Sequence, residues 1–128
     1  MYNFTRFERR SSRIENRISI TKNYDFGLPS GFYRENGISS YQYAVFFFDD
    51  SKKTIGLFFT NNKKEKGSHR ISHTNKMMGA RISATAFLKS HGIEPSSYSG
   101  LYEWKKYEDS IIGTLYVIEL GKIKVRSK

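Results

Sequence analysis

Three sets of side chains in this sequence have types and spacings that could do chemistry: clustered Lys and Arg, three histidines, and two pairs of adjacent carboxylates. The cations dominate, with 22 Lys and Arg against 12 Asp and Glu, a formal net charge of +10 and a pI near 9.8. They are unevenly placed. Residues 1–22 hold six cations and two acids, residues 61–90 hold seven and one, and the last eight residues hold four cations and no acid. Such clusters bind phosphate chains by displacing condensed counterions, which makes nucleic acid or another polyanion the expected ligand. Arg13, Arg17 and Lys22, with Lys63, Lys64, Lys66, Arg70 and Arg81, are the expected phosphate contacts. Arg6, Arg9 and Arg10 alternate in part with Tyr2, Phe4 and Phe7, a pattern that suits an arm reaching into a groove or docking on the domain itself.

The histidines and carboxylates point elsewhere than catalysis. His69 and His73 are four apart, a spacing that puts two imidazoles on one face of a strand or a helix and could seed a metal site. A site needs more ligands, however. The chain has no cysteine, and Glu65 is the only carboxylate in the adjoining loop, so the pair is expected to be surface histidines in a basic patch. His91 precedes Gly92 at an expected helix end, where an imidazole favours the carbonyl dipoles. Asp49-Asp50 and Glu108-Asp109 fall at expected hairpin turns, where Asp serves turn geometry. Neither a phosphate loop nor a nucleophile elbow occurs. The chain is therefore read as no enzyme, with no cofactor and no metal.

The elements that must position these groups are mostly strands. Ile14, Ile18 and Ile20 share one face of a first strand, with Arg13 and Arg17 in the opposite phase. Pro29 and Gly37 bracket a short helix over residues 29–36. YQYAVFFFDD reads as a strand buried on both faces, with Phe46 to Phe48 in the core, turning at Asp49-Asp50-Ser51-Lys52 into the partner TIGLFFT. After the polar loop NNKKEKG, a strand is expected at His69 to His73, then a helix in ISATAFLKSHGI capped by Ser83, with Phe87 and Leu88 as its apolar face. Strands around Leu101 to Lys105 and Ile112 to Leu120 complete the chain.

The two halves align when Gly37 is set on Gly92, which pairs Phe32 with Phe87, Arg34 with Lys89 and Ile38 with Ile93. Two strand-helix-hairpin units, each too small to bury its own apolar face, are expected to complete one barrel together. The first unit resembles the swapped-hairpin DNA-binding family that includes AbrB and the MazE-type antitoxins. Leu28-Pro29, Phe32, Gly37-Ile38 and the hairpin of Tyr43 to Phe48 with Ile55 to Phe59 carry the resemblance over residues 17–60, and it echoes more weakly over 71–120. Asp25-Phe26 stand where that family has Gly-Arg, while Ala80-Arg81-Ile82 restore the pattern in the second unit. From FTRFERR to the IGL hairpin the chain also resembles bacterial proteins of the same plan. The resemblance implies a cradle-type barrel, DNA binding, transcription regulation or an antitoxin-like role, and pairing of units or of copies.

The expected fold is thus α+β with β dominant, a small swapped-hairpin or double-psi-like barrel in one domain over 1–128. Its parts are an arm (1–12), a first repeat (13–60), a basic loop (61–67), a second repeat (68–120) and a basic tail (121–128). The missing cysteines, the charge-broken N-terminal segment and the absence of an apolar run longer than Ala44 to Phe48 suggest a soluble cytoplasmic protein with no membrane partner. DNA is preferred to RNA. An acidic protein partner, met by an inhibitor or antitoxin-like module of mobile-element origin, is the alternative.

Overall fold

The computed structural model describes residue 2 and residues 15–74 and 78–122. The described strands form two antiparallel five-stranded sheets. β1 (Ile18–Ile20), β2 (Asp25–Leu28), β6 (Ser72–His73), β7 (Ala80–Ser83) and β8 (Gly100–Tyr102) make sheet A in the order β6-β7-β2-β1-β8. β3 (Tyr43–Asp49), β4 (Thr54–Thr60), β5 (Ser68–Arg70), β9 (Trp104–Asp109) and β10 (Gly113–Glu119) make sheet B in the order β5-β3-β4-β10-β9. α1 (Ser30–Glu35) follows β2, α2 (Thr85–Ser90) follows β7, and α3 (Pro95–Tyr98) precedes β8.

The fold is β-dominant with short helices, as expected, but the barrel is not closed. Two of the expected strands are each broken by one residue at which the chain changes sheets. Between β5 and β6 lies buried Ile71, whose N–H reaches the Gln42 carbonyl at 2.9 Å, and between β8 and β9 lies Glu103. A residue that turns the corner leaves its neighbours to hydrogen-bond in different sheets, so the sheets meet there without a continuous ladder.

The core lies between the sheets. Ile18, Ile20, Phe26, Leu28, Ile82 and Tyr102 from sheet A face Ala44, Ile55, Leu57, Phe59, Tyr116 and Ile118 from sheet B, all buried. The helices add aromatic rings, Phe32 and Tyr33 from α1, Phe87 from α2 and Tyr98 from α3. Phe32 of α1 packs against Trp104 at 5.0 Å, Tyr116 at 5.3 Å and Phe59 at 6.2 Å, while Phe87 of α2 packs against Phe46 at 5.1 Å and Phe26 at 6.4 Å.

Both helices have six residues, begin 55 positions apart at Ser30 and Thr85, and are followed by glycines in the left-handed region, Gly37 at φ 61° and Gly92 at φ 67°. Glycine takes that conformation without the Cβ strain other residues suffer. Ile93 N–H then bonds back to the Leu88 carbonyl at 2.9 Å, closing α2. Pro29 sits at the N-cap of α1 rather than in its first turn, and Ser83 does not cap α2. Ser83 is drawn into β7 by pairing with Asp25, which leaves Ala84 at the cap with no side-chain bond.

Candidate nucleic-acid interface

Hairpin geometry organises the strongest cluster of cations. The segment joining β4 to β5 is held by its own polar side chains: Asn62 N–H donates to Thr60 Oγ1 at 3.1 Å, Lys64 N–H to Asn62 Oδ1 at 3.0 Å, and Ser68 Oγ–H to the Lys63 carbonyl at 3.2 Å. Asn61 ties the base of the loop to the segment leading into β3, accepting from Gln42 N–H at 2.9 Å and donating to the Ser40 carbonyl at 2.8 Å. Lys63, Lys64 and Lys66 are exposed on this loop, and exposed Arg70 follows on β5. Among the described residues no carboxylate lies within ion-pair distance of any of the four. They form one corner of free positive charge.

Sheet A treats its cations differently. Cross-strand register places Ser72, Arg81, Gly27, Ser19 and Leu101 in one row on the outer face, above an open groove of about 510 Å³. Gly27 keeps the floor low, because a Cβ there would overlap the Ser19 hydroxyl. Arg17 clasps Glu15 with two side-chain bonds, Nε–H at 2.8 Å and Nη2–H at 3.0 Å, and this guanidinium holds the Glu15 carboxyl below its usual range. Arg81 lies 3.7 Å from Asp25. The expected single basic face is therefore divided. Arg17 and Arg81 line the sheet A groove with carboxylates beside them, whereas Lys63, Lys64, Lys66 and Arg70 gather at the β5 end of sheet B. Lys22 stands exposed in the β1–β2 turn, and Arg6, Arg9, Arg10 and Arg13 lie outside the described residues.

His69 and His73 are half-buried rather than surface groups, and only His91 is exposed. Because Ile71 turns the chain between sheets, His69 stacks on Phe46 at 4.4 Å from sheet B while His73 belongs to sheet A. His73 Nε2–H donates to the Tyr41 carbonyl at 2.8 Å, which leaves Nδ1 to accept from Tyr33 O–H at 2.7 Å. Both ring nitrogens are occupied. His91 is the C-cap residue of α2, with its ring 4.5 Å from that of Phe48. No group of three His, Asp or Glu converges on a metal-sized site among the described residues.

The carboxylate pairs serve turns. Asp49 Oδ1 accepts from Ser51 N–H, Lys52 N–H and the Ser51 hydroxyl, and the hydroxyl bond most of all pulls its carboxyl down. Asp109 Oδ1 accepts from Ile112 and Ile111 N–H, which lowers that carboxyl too.

The outer face of sheet B was not foreseen. Ala44, Phe46 and Phe48 of β3 point inward, so Tyr43, Val45 and Phe47 point out. Register carries this row across the sheet, through Val45 opposite Phe58, Phe47 opposite Gly56, Gly56 opposite Val117, and Leu115 opposite Tyr107. Phe47 is thus an outer-face residue and not part of the core between the sheets. The uninterrupted apolar run AVFFF hid the alternation; the charged partner WKKYED on β9 was the one local sign that this face meets solvent.

No helix among the described residues is long and apolar enough to cross a membrane. No family model matches the chain, and comparison with curated proteins and with solved structures gives no match either.

Proposed function

We infer that this chain is a non-catalytic nucleic-acid-binding module, with DNA as the first candidate, that meets phosphates through Lys63, Lys64, Lys66 and Arg70. One observation carries the reading: these four exposed cations sit on a loop braced by side-chain hydrogen bonds, with no carboxylate in ion-pair reach among the described residues. An ordered, unneutralised cluster releases counterions on binding without first breaking protein ion pairs. The resemblance of residues 17–60 to the AbrB and MazE-type families supports a regulatory DNA-binding role. The matched helices and glycines 55 positions apart support an internal duplication.

The test is affinity for DNA and RNA measured across salt concentration, for the native chain and for Lys63→Glu/Lys66→Glu. Four phosphate contacts give a log–log slope of about −3 to −4 on duplex DNA. The double charge reversal is expected to flatten that slope and weaken binding to all sequences alike. Binding that is absent at low salt, or indifferent to salt, rejects the reading. Nuclease treatment before a pull-down separates it from an acidic protein partner, which would stay bound.

A further inference from the structure

Tyr43 and Phe47 of β3, Phe58 of β4 and Tyr107 of β9 stand on the outer face of sheet B, and they differ from the other strand aromatics in how they pack. Phe26, Phe46, Phe48, Phe59, Trp104 and Tyr116 each have a ring neighbour between 4.4 and 6.4 Å, and Tyr102 is fully buried in the core, whereas none of these four has a ring neighbour among the described residues or a place in the core. Nor are they among the side chains packed against it. Tyr107 is 54% exposed. Aromatic residues suit strands whatever they face, but four outward rings, two of which, Phe47 and Tyr107, line an open groove of about 550 Å³, are more than strand formation requires.

The floor of that groove is shaped by a missing side chain. Gly56, in ordinary strand conformation, sits between Phe47 and Val117, so the sheet is notched at its centre. A Cβ there would touch only Leu115 and Val117, at 3.5 to 3.7 Å, which are ordinary contacts. Packing therefore does not demand this glycine. Positive charge gathers at one end of the face, where Arg70 pairs in register with Tyr43 and the Lys63–Lys66 loop lies beside it; the far groove is balanced, with Lys52, Lys105 and Lys106 beside Asp49, Asp109 and Glu119.

We propose that the outer face of sheet B is a stacking platform for an unpaired nucleic-acid strand, its bases laid on Tyr43, Phe47, Phe58 and Tyr107 and its phosphates drawn to Arg70 and the neighbouring lysines. Apolar rings alone would suit many partners. The cations at the β5 end select one that offers flat apolar surfaces and regularly spaced negative charge together, which is what an unstacked polynucleotide presents and a duplex conceals. From β3 to β9 is three strand intervals, ~14 Å, enough for about two or three bases on a sheet face. This inference rests on the nucleic-acid reading above and narrows it to single strands.

Fluorescence anisotropy of labelled oligothymidine, oligouridine and a duplex of equal length tests it, with Tyr107→Ala, Phe47→Ser and Gly56→Val beside the native chain. Circular dichroism and thermal melting confirm that each variant folds. Either single strand is expected to bind about 10-fold or more tightly than the duplex, since stacking on one ring is worth about that much. Tyr107→Ala and Phe47→Ser should each weaken the single strand about 5- to 150-fold with the salt slope unchanged, because they remove stacking and no charge. Gly56→Val should weaken it by filling the notch. If the duplex binds as well as the single strands and these variants change nothing, while Lys63→Glu/Lys66→Glu still weakens binding, the platform is overturned and the phosphate reading survives. Loss of all binding by the native chain overturns both. Concentration-dependent self-association abolished by Phe47→Ser, with single-strand affinity intact, would instead make this face a contact between copies and overturn the proposal.

Discussion

The outer faces of the two sheets are built on opposite principles, although their inner faces are equally apolar. Sheet A presents Ser72, Gly27 and Ser19 with Arg81, flanked by Arg17, and gives each arginine a carboxylate neighbour, so its groove is nearly neutral. Sheet B presents rings at Tyr43, Phe47, Phe58 and Tyr107 around the covered aliphatic side chains of Val45 and Leu115, with balanced charge in its groove and unneutralised cations at the β5 corner. Folding needs one buried face per sheet, and the inner faces already supply it. The contrast outside therefore reports on what each face meets, and sheet B is the face prepared for a partner that is both flat and negative.

Substitutions can break that contrast or sharpen it. The largest effect is expected at Phe32, fully buried against Trp104 and Tyr116. Phe32→Ala should cost about 3–5 kcal/mol in urea unfolding, whereas Phe47→Ser should cost under about 1 kcal/mol, as for a surface position. Equal losses would mean that Phe47 is covered in solution. Gly27 and Gly56 offer the second comparison. Gly27→Val must turn the Ser19 hydroxyl to another rotamer, the Ser19 Cβ lying at an ordinary 3.7 Å, and should destabilise by about 0.5–1.5 kcal/mol. Gly56→Ala adds a Cβ that meets only ordinary contacts and should leave the melting temperature nearly unchanged, so that any loss of binding reports on the groove floor.

Charge removal separates the faces more finely. Arg70→Ala is expected to reduce the salt slope of nucleic-acid binding by about 1, while Arg81→Ala, beside Asp25, should reduce it less. A larger change at Arg81 would move the interface to sheet A. The smallest effect is a pH dependence. Glu15 titrates below its usual value because Arg17 bonds its carboxylate, so its contribution is present above the unfolded-state value and is lost as pH falls through the lower folded one. The pair is partly solvated, and the loss should be about 0.2–1 kcal/mol. Acid unfolding of Glu15→Gln should lack that increment.

Much of the fold was legible because the signals are local. Asp49 reaches the N–H groups two and three positions ahead, and Gly37 and Gly92 end their helices through their own backbone torsions, so neither needs a distant partner to be recognised. The 55-residue match between the helices was readable for the same reason. The sheet changes at Ile71 and Glu103 were not readable, since one residue between two short strands looks like one longer strand. That hidden corner also undid the expected pairing of His69 with His73. Phe46, Phe47 and Phe48 are chemically identical neighbours, and only packing on Phe26 and Phe87 decides which of them face inward.

Composition and short-range pattern by themselves determined a β-dominant chain with short glycine-ended helices, hairpins turned by aspartate, and a strong excess of positive charge. Those properties depend on torsion preferences and on hydrogen bonds a few residues long. Which arginines are neutralised, which rings lie outside, and where free lysines gather were decided only by the tertiary structure. Each of these depends on which distant strand lies alongside, and register between strands that are far apart in the chain is set by the packing of the whole core.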